Sequence, residues 1–174
     1  MQRRNPGVLL VGSRIIGDDP QRVLCVRVAD CVPVLLSSED GSVVAAIHCG
    51  WRGVLARVVV NALQVLREIA GAKDAGAASG AGIGYDHFEV GAEVLAQFAG
   101  AFGGEIPMRR HDDGKGYIDL HSAIRLQLHR AGLDLSRIDS TDRCTFRDAD
   151  EFFSHRRDHG ITGRMAALIA PRSA

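Results

Sequence analysis

The chain has 174 residues, 46% of them hydrophobic, with 21 basic side chains balanced by 21 acidic ones. That length fits one domain with a sizeable core, residues 1–174 taken as a single unit. The charge balance removes the global field that a nucleic-acid or acidic-membrane partner would select. No apolar run approaches the roughly 18 residues that a membrane-crossing helix needs. Val8 to Val11 is too short for the apolar region of a signal peptide, so a cytoplasmic chain is expected. Cysteines stand at 25, 31, 49 and 144, with neither a secreted-scaffold spacing nor a Cys-x-x-Cys pair. In a reducing compartment such residues serve as ligands, nucleophiles or core.

Val8 to Val11 reads as a short strand, Gly17-Asp18-Asp19-Pro20 as a turn and Arg22 to Val28 as a strand. Cys25 in that strand is expected to be a small core residue. Two apolar runs follow, Val32 to Leu36 and Val43 to Ile47, each fitting a strand buried on both faces. Ser37-Ser38-Glu39-Asp40-Gly41 between them is hairpin-loop chemistry. Cys31 enters the first run and His48 leaves the second. An antiparallel hairpin would bring them together at the end opposite its loop, where they could share one ligand or one proton.

Apolar positions at helical spacing predict a helix over Val54 to Ala70, closed by Gly71. His48-Cys49-Gly50-Trp51-Arg52-Gly53 then forms a strand-to-helix turn, a setting suited to anions, with Arg52 able to grip a phosphate or carboxylate. Ala75 to Gly84 is expected to be a strand with close backbone packing. A loop at Tyr85-Asp86-His87 leads to a helix over Phe88 to Phe102 and a solvated loop over Gly103 to Lys115. A third helix is expected from Leu120 to Arg130, capped by Asp119 and stopped at Gly132. Short strands close the chain at Arg137 to Asp139 and Gly163 to Ala170, with Cys144-Thr145 in a loop between them.

Several of these stretches together resemble the bacterial YfiH family, also called the laccase-domain or multicopper polyphenol oxidase family. The pieces are Ala29-Asp30-Cys31-Val32-Pro33-Val34-Leu35 and Ala46-Ile47-His48-Cys49-Gly50-Trp51-Arg52-Gly53. Gly82-Ile83-Gly84, Phe88-Glu89-Val90-Gly91 and Ile118-Asp119-Leu120 follow. The last are Cys144-Thr145, Phe152-Phe153-Ser154-His155-Arg156-Arg157-Asp158 and Thr162-Gly163-Arg164. The resemblance implies an α/β fold, an α-β-β-α layered sandwich with mixed sheets like that of cytotoxic necrotizing factor. It also implies a Zn²⁺ site of one cysteine and two histidines, two of which fall on Cys31 and His48. The third ligand normally lies upstream in a Gln-x-His-Gly segment that this sequence does not contain, and an N-terminal segment is expected to be lacking. His87 is the nearest substitute by sequence.

The implied activity is purine nucleoside phosphorolysis, with adenosine deamination and methylthioadenosine phosphorolysis beside it. Purine nucleosides and inorganic phosphate are the implied partners. Cys31, His48 and Arg52 are the expected catalytic residues. Arg52, Arg156 and Arg157 are the expected phosphate contacts, against the alternative that the two late arginines bridge to acids such as Asp119 or Asp158. Three other readings are carried forward. One is a copper-dependent polyphenol oxidase, which the scattered histidines do not favour. Another is an impaired or non-enzymatic metal-binding domain. The third is a Cys31–His48 nucleophile–base pair for acyl transfer.

Overall fold

The structure, a computed structural model, describes residues 8–11 and 13–173, with side chains from Ser13 onward. Its elements begin with strands β1 (Val8–Val11), β2 (Arg14–Gly17), β3 (Leu24–Val28), β4 (Val32–Ser38) and β5 (Val44–Cys49). Helices α1 (Trp51–Leu55) and α2 (Val58–Ala70) follow, then β6 (Ala75–Ser79), β7 (Glu89–Val90) and α3 (Ala92–Phe102). The chain ends through β8 (Met108–Arg110), β9 (Gly116–Ile118), α4 (Leu120–Arg130), β10 (Ile138–Ser140) and β11 (Met165–Ile169).

The first sheet has the order β1-β2-β5-β4-β6-β10, and its centre is the expected hairpin: β4 pairs antiparallel with β5, Val32 opposite Cys49 and Ser37 opposite Val44. One face of these two strands carries Val32, Val34, Leu36, Ala45, Ile47 and Cys49 into the main core. The other carries Leu35, Val44 and Ala46 against a two-stranded ribbon of β3 and β11, where Leu24 and Val26 complete a second small core. A strand buried on both faces has no solvent side to mark by alternation, hence the unbroken apolar runs. A third sheet, β7-β9-β8, packs against α3.

α2 turns Val59, Ala62, Leu63 and Leu66 into the main core, and Gly71 closes it in the left-handed region at φ 63°. Asp119 caps α4 by accepting from the Ser122 amide at 3.0 Å, as its sequence position predicts. Two layers of β structure with helices packed on the larger sheet thus realise the layered α/β expectation.

Five local expectations are corrected. The helix after β5 begins at Trp51 and breaks after one turn, where Arg57 takes a left-handed φ of 56°, so Gly50 opens a five-residue helix rather than a long one. Phe88 to Phe102 splits into β7 and α3, with the break at Gly91. The polar run over Gly103 to Lys115 contains β8, paired antiparallel with β9, because a small sheet open on one side tolerates charged residues. β6 ends at Ser79, and the glycines after it form a closely packed loop. Cys25 is exposed, standing opposite Leu168 on the outer face of the ribbon, a face that lies open among the described residues.

Truncating Leu63, 1% exposed, to Ala should cost roughly 2–5 kcal/mol in urea denaturation. The same change at Leu168, 58% exposed, should stay within about 0.5 kcal/mol. Equal losses at both positions would contradict this assignment of core and surface.

Candidate functional site

Three loops meet at the end of the β4–β5 hairpin, and Asp30 ties them together. Its backbone sits at φ 85°, a conformation that aspartate tolerates better than most residues with a side chain. Its carboxylate, 9% exposed, accepts from the Thr145 hydroxyl at 2.7 Å and from the Arg156 amide at 2.7 Å. Its carbonyl accepts from the Ile83 amide at 2.8 Å. The loop after β6 joins the late loop directly, since the Thr145 amide donates to the Gly82 carbonyl at 3.0 Å and the Gly84 amide to the Cys144 sulfur at 3.1 Å.

This stitching presents Cys31. The register pairs Val32 with Cys49 and Pro33 with His48, so one further step sets Cys31 opposite Gly50. A Cβ on Gly50 would stand 2.9 Å from the Cys31 sulfur, so this position needs glycine for space rather than for backbone freedom. Cys31 and His48 thereby become diagonal neighbours across the strand pair, a relation that usually separates Cα atoms by about 7–8 Å. Cys31 is partly buried, and burial followed by the charge of Asp30 pushes its thiol pKa up. Half-buried His48 has its pKa pushed down, chiefly by burial, against a hydrogen bond to the Arg27 backbone. A protonated thiol and a neutral imidazole are thus the resting forms at neutral pH.

Cys49, next in sequence, points the other way. Alternation turns it into the main core, fully buried, and burial pushes its thiol pKa far up. It is an inert core residue rather than a second thiol of the site.

The expected phosphate contacts part company. Arg52 is exposed on the first turn of α1, its guanidinium 4.1 Å from the Trp51 ring centroid, and carries no ion pair among the described residues. Arg156 is also exposed, donating to the Glu89 carbonyl at 2.9 Å and lying 5.7 Å from the Phe88 ring centroid. Arg157 is inside the late loop, donating to the carbonyls of Thr145 at 2.6 Å and Phe152 at 2.8 Å and to Asp158 at 2.9 Å. Its fork is the loop's internal strut, the bridging alternative that the sequence left open.

Among the described residues no three His, Cys, Asp or Glu side chains gather as a metal-binding group. Cys31 and His48 have the donor chemistry of a zinc site, but a catalytic zinc keeps three protein ligands, so these residues alone do not complete one. His87 stacks on Phe146 at 4.6 Å rather than joining the pair. Sequence reasoning missed His121, whose Nε2 would lie 3.1 Å from a Cβ on Gly82, beside the Asp30 carbonyl. Its one signal was a histidine at the start of a capped helix.

Asp30→Ala, which strands the Thr145 hydroxyl and the Arg156 amide, should lose roughly 2–4 kcal/mol in chemical denaturation. An undiminished midpoint would remove Asp30 as the tie between loops. Asp148, beside this loop, is held down at about 2, first by its hydrogen bonds from Arg147 and then by the Cys144 amide. A depressed carboxylate stabilises the fold above its unfolded value, about 4, and that contribution disappears as pH falls through the folded value. Amides of the late loop should therefore lose hydrogen-exchange protection between about pH 4 and 2, and Asp148→Asn should flatten that dependence.

The sequence matches the family model described as "Multi-copper polyphenol oxidoreductase laccase" over residues 14–172. A protein of Bacteroides thetaiotaomicron named purine nucleoside phosphorylase is 37% identical over 159 residues, covering 89% of this chain and 59% of that one. The purine nucleoside phosphorylase YfiH of Escherichia coli is 36% identical over 151 residues, 86% of this chain and 60% of its own length. The crystal structure of YlmD from Geobacillus stearothermophilus superposes with a TM-score of 0.86 at 32% identity, over 92% of this chain and 61% of that one. The chain thus spans about six-tenths of the length of these relatives. With the family model matched over most of the chain's length and these relatives at 36–37% identity, this chain belongs to the laccase-like YfiH family.

Proposed function

We propose that this chain carries the purine nucleoside phosphorylase activity for which its relatives are named, acting on purine nucleosides with inorganic phosphate. The observation that supports this most is the register of β4 and β5, which makes Cys31 and His48 diagonal neighbours at the strand ends, with exposed Arg52 following four residues after His48. In phosphorolysis a phosphate oxygen bonds to the ribose C1′ while the bond from C1′ to the purine nitrogen breaks. The departing base takes up a proton. Negative charge must be held at the phosphate and a proton supplied or relayed near the base.

Arg52 suits the first task. Its guanidinium is steadied on the Trp51 ring while its donors face solvent, ready for a bidentate grip on phosphate. Arg156 joins it as a second cation, whereas Arg157 supports the loop that carries Arg156. Neutral His48, hydrogen-bonded to the Arg27 backbone, is suited to move a proton, with Cys31 as its partner at the other strand end.

Adenosine deamination and methylthioadenosine phosphorolysis belong to the same proposal, since all three reactions act on a purine nucleoside. Zinc held by Cys31 and His48 is part of it too, with a further ligand beyond the described donor set, and no step above depends on the ion. Zinc fits this thiol and imidazole pair better than a copper cluster does, because a multicopper centre needs several histidines gathered together. The reading places the chain in the cytoplasm, and no described helix is long and apolar enough to cross a membrane.

The test is release of hypoxanthine from inosine. It should require phosphate, and Arg52→Gln should lower the phosphate-dependent rate on the order of tenfold or more. No base released from inosine, adenosine or methylthioadenosine, with zinc supplied, would refute the proposal.

A further inference from the structure

A cavity lined by none of Cys31, His48 and Arg52 lies between α4 and the ends of two strands. β10 pairs parallel to β6, with Ser140 registered against Ser79, the last residue of each strand. α4 belongs to the crossover that joins these two strands, so its first turns overhang their carboxyl ends. In open α/β sheets that crevice is where ligands are held. Here it encloses about 150 Å³, below the 300–1,000 Å³ usual for a drug-sized ligand, which leaves room for a group of a few atoms.

Its lining is divided, with Val34, Ala77, Ile124, Leu128 and Ile138 supplying the apolar part. Ser79, Ser140 and Thr141 line it from the strand ends, and His121, Ser122 and Arg125 from α4. Arg125 follows His121 by four residues and Ser122 by three, so it neighbours each of them on the helix surface. Arg125 is the one formal charge among the lining residues and has no ion pair among the described residues. The Nδ1 of His121 is buried with no hydrogen-bond partner among the described residues, an unfavourable state that a ligand or water would relieve. The nearest carboxylates are already occupied: Asp119 accepts from Ser122 at 2.6 Å through its hydroxyl, and Asp139 accepts from the Ser140 amide at 3.0 Å.

We infer that this cavity binds a small oxyanion, a phosphate or the phosphate group of an ester, held by Arg125, His121 Nδ1 and the hydroxyls at the ends of β6 and β10. One cation, several neutral donors and no lining carboxylate make up an oxyanion cradle. The site also touches the strand-end loops, since the other nitrogen of His121 faces Gly82 and the Asp30 carbonyl. An anion here would therefore press on the loop that positions Cys31.

The experiment is a titration of the whole chain with inorganic phosphate, and separately with ribose 5-phosphate, following the imidazole nitrogens of His121 by NMR. Saturable movement of the His121 resonances is expected in wild type and in Arg52→Gln, with binding at least tenfold weaker in Arg125→Gln. Arg125 is exposed and unpaired, so that variant should keep the wild-type spectrum elsewhere. Tighter binding of the ester would identify a phosphorylated metabolite, and equal binding the free anion. A His121 ring unmoved by both ligands, or a response that Arg125→Gln leaves intact and Arg52→Gln abolishes, would overturn the site. Failure of inosine phosphorolysis would leave this result standing, because the two readouts are separate.

Discussion

A buried carboxylate organises this molecule. Asp30 sits at the mouth of the central hairpin in a left-handed conformation, and its two oxygens are taken up by a hydroxyl and an amide from the late loop. Burying a charged carboxylate is unfavourable unless hydrogen bonds replace its water, and here they come from a segment more than a hundred residues away. Closure of the late loop and shaping of the Ala29–Cys31 turn are consequently one event. The rest of that loop is self-braced, with Arg157 spanning its carbonyls and Asp158 taking the Thr162 hydroxyl at 2.6 Å.

The second constraint is the two-residue period of a strand. β5 sends Cys49 into the main core and leaves His48 on the ribbon face, so neighbours in sequence have opposite fates. The larger sheet can expose reactive groups only at its strand ends, because its middle is packed on both faces. Cys31, His48 and the oxyanion cavity all stand at such ends. Gly50 and Gly82 admit close neighbours there: a Cβ on Gly82 would come within 2.7 Å of Val32, and one on Gly50 within 2.9 Å of the Cys31 sulfur.

The hairpin, α4 with its cap and the approximate places of β1, β3, β10 and β11 were legible because each rests on local pattern, whereas β2, β7, β8 and β9 are short and were not. Two apolar runs around a polar turn admit few other structures, and Asp119 before an amphipathic run announces a cap. Cys25 was misjudged because the outer face of β3 carries Cys25 and Arg27, with Val23 just ahead of the strand, a mixed row that does not say whether anything covers it. The split of Phe88 to Phe102 was hidden because the residues before Gly91 suit strand and helix alike. Roles that depend on distant partners were not legible from spacing. Asp30 and Thr145 are polar residues partnered across loops, Arg157 braces carbonyls of its own loop that only the folded turn brings near, and His121 acquires meaning only when β6 and β10 close beneath it.

The convergence of Cys31 and His48 on one ligand can be tested without any assay of turnover. Cobalt(II), a spectroscopic stand-in for zinc, gives a thiolate-to-metal charge-transfer absorption when a cysteine sulfur binds it. With the metal in excess, the wild-type chain should show that band, and both Cys31→Ala and His48→Ala should lose it or need far more cobalt to restore it. A band unchanged in His48→Ala, or no thiolate band at all, would mean that the two strand ends do not act together.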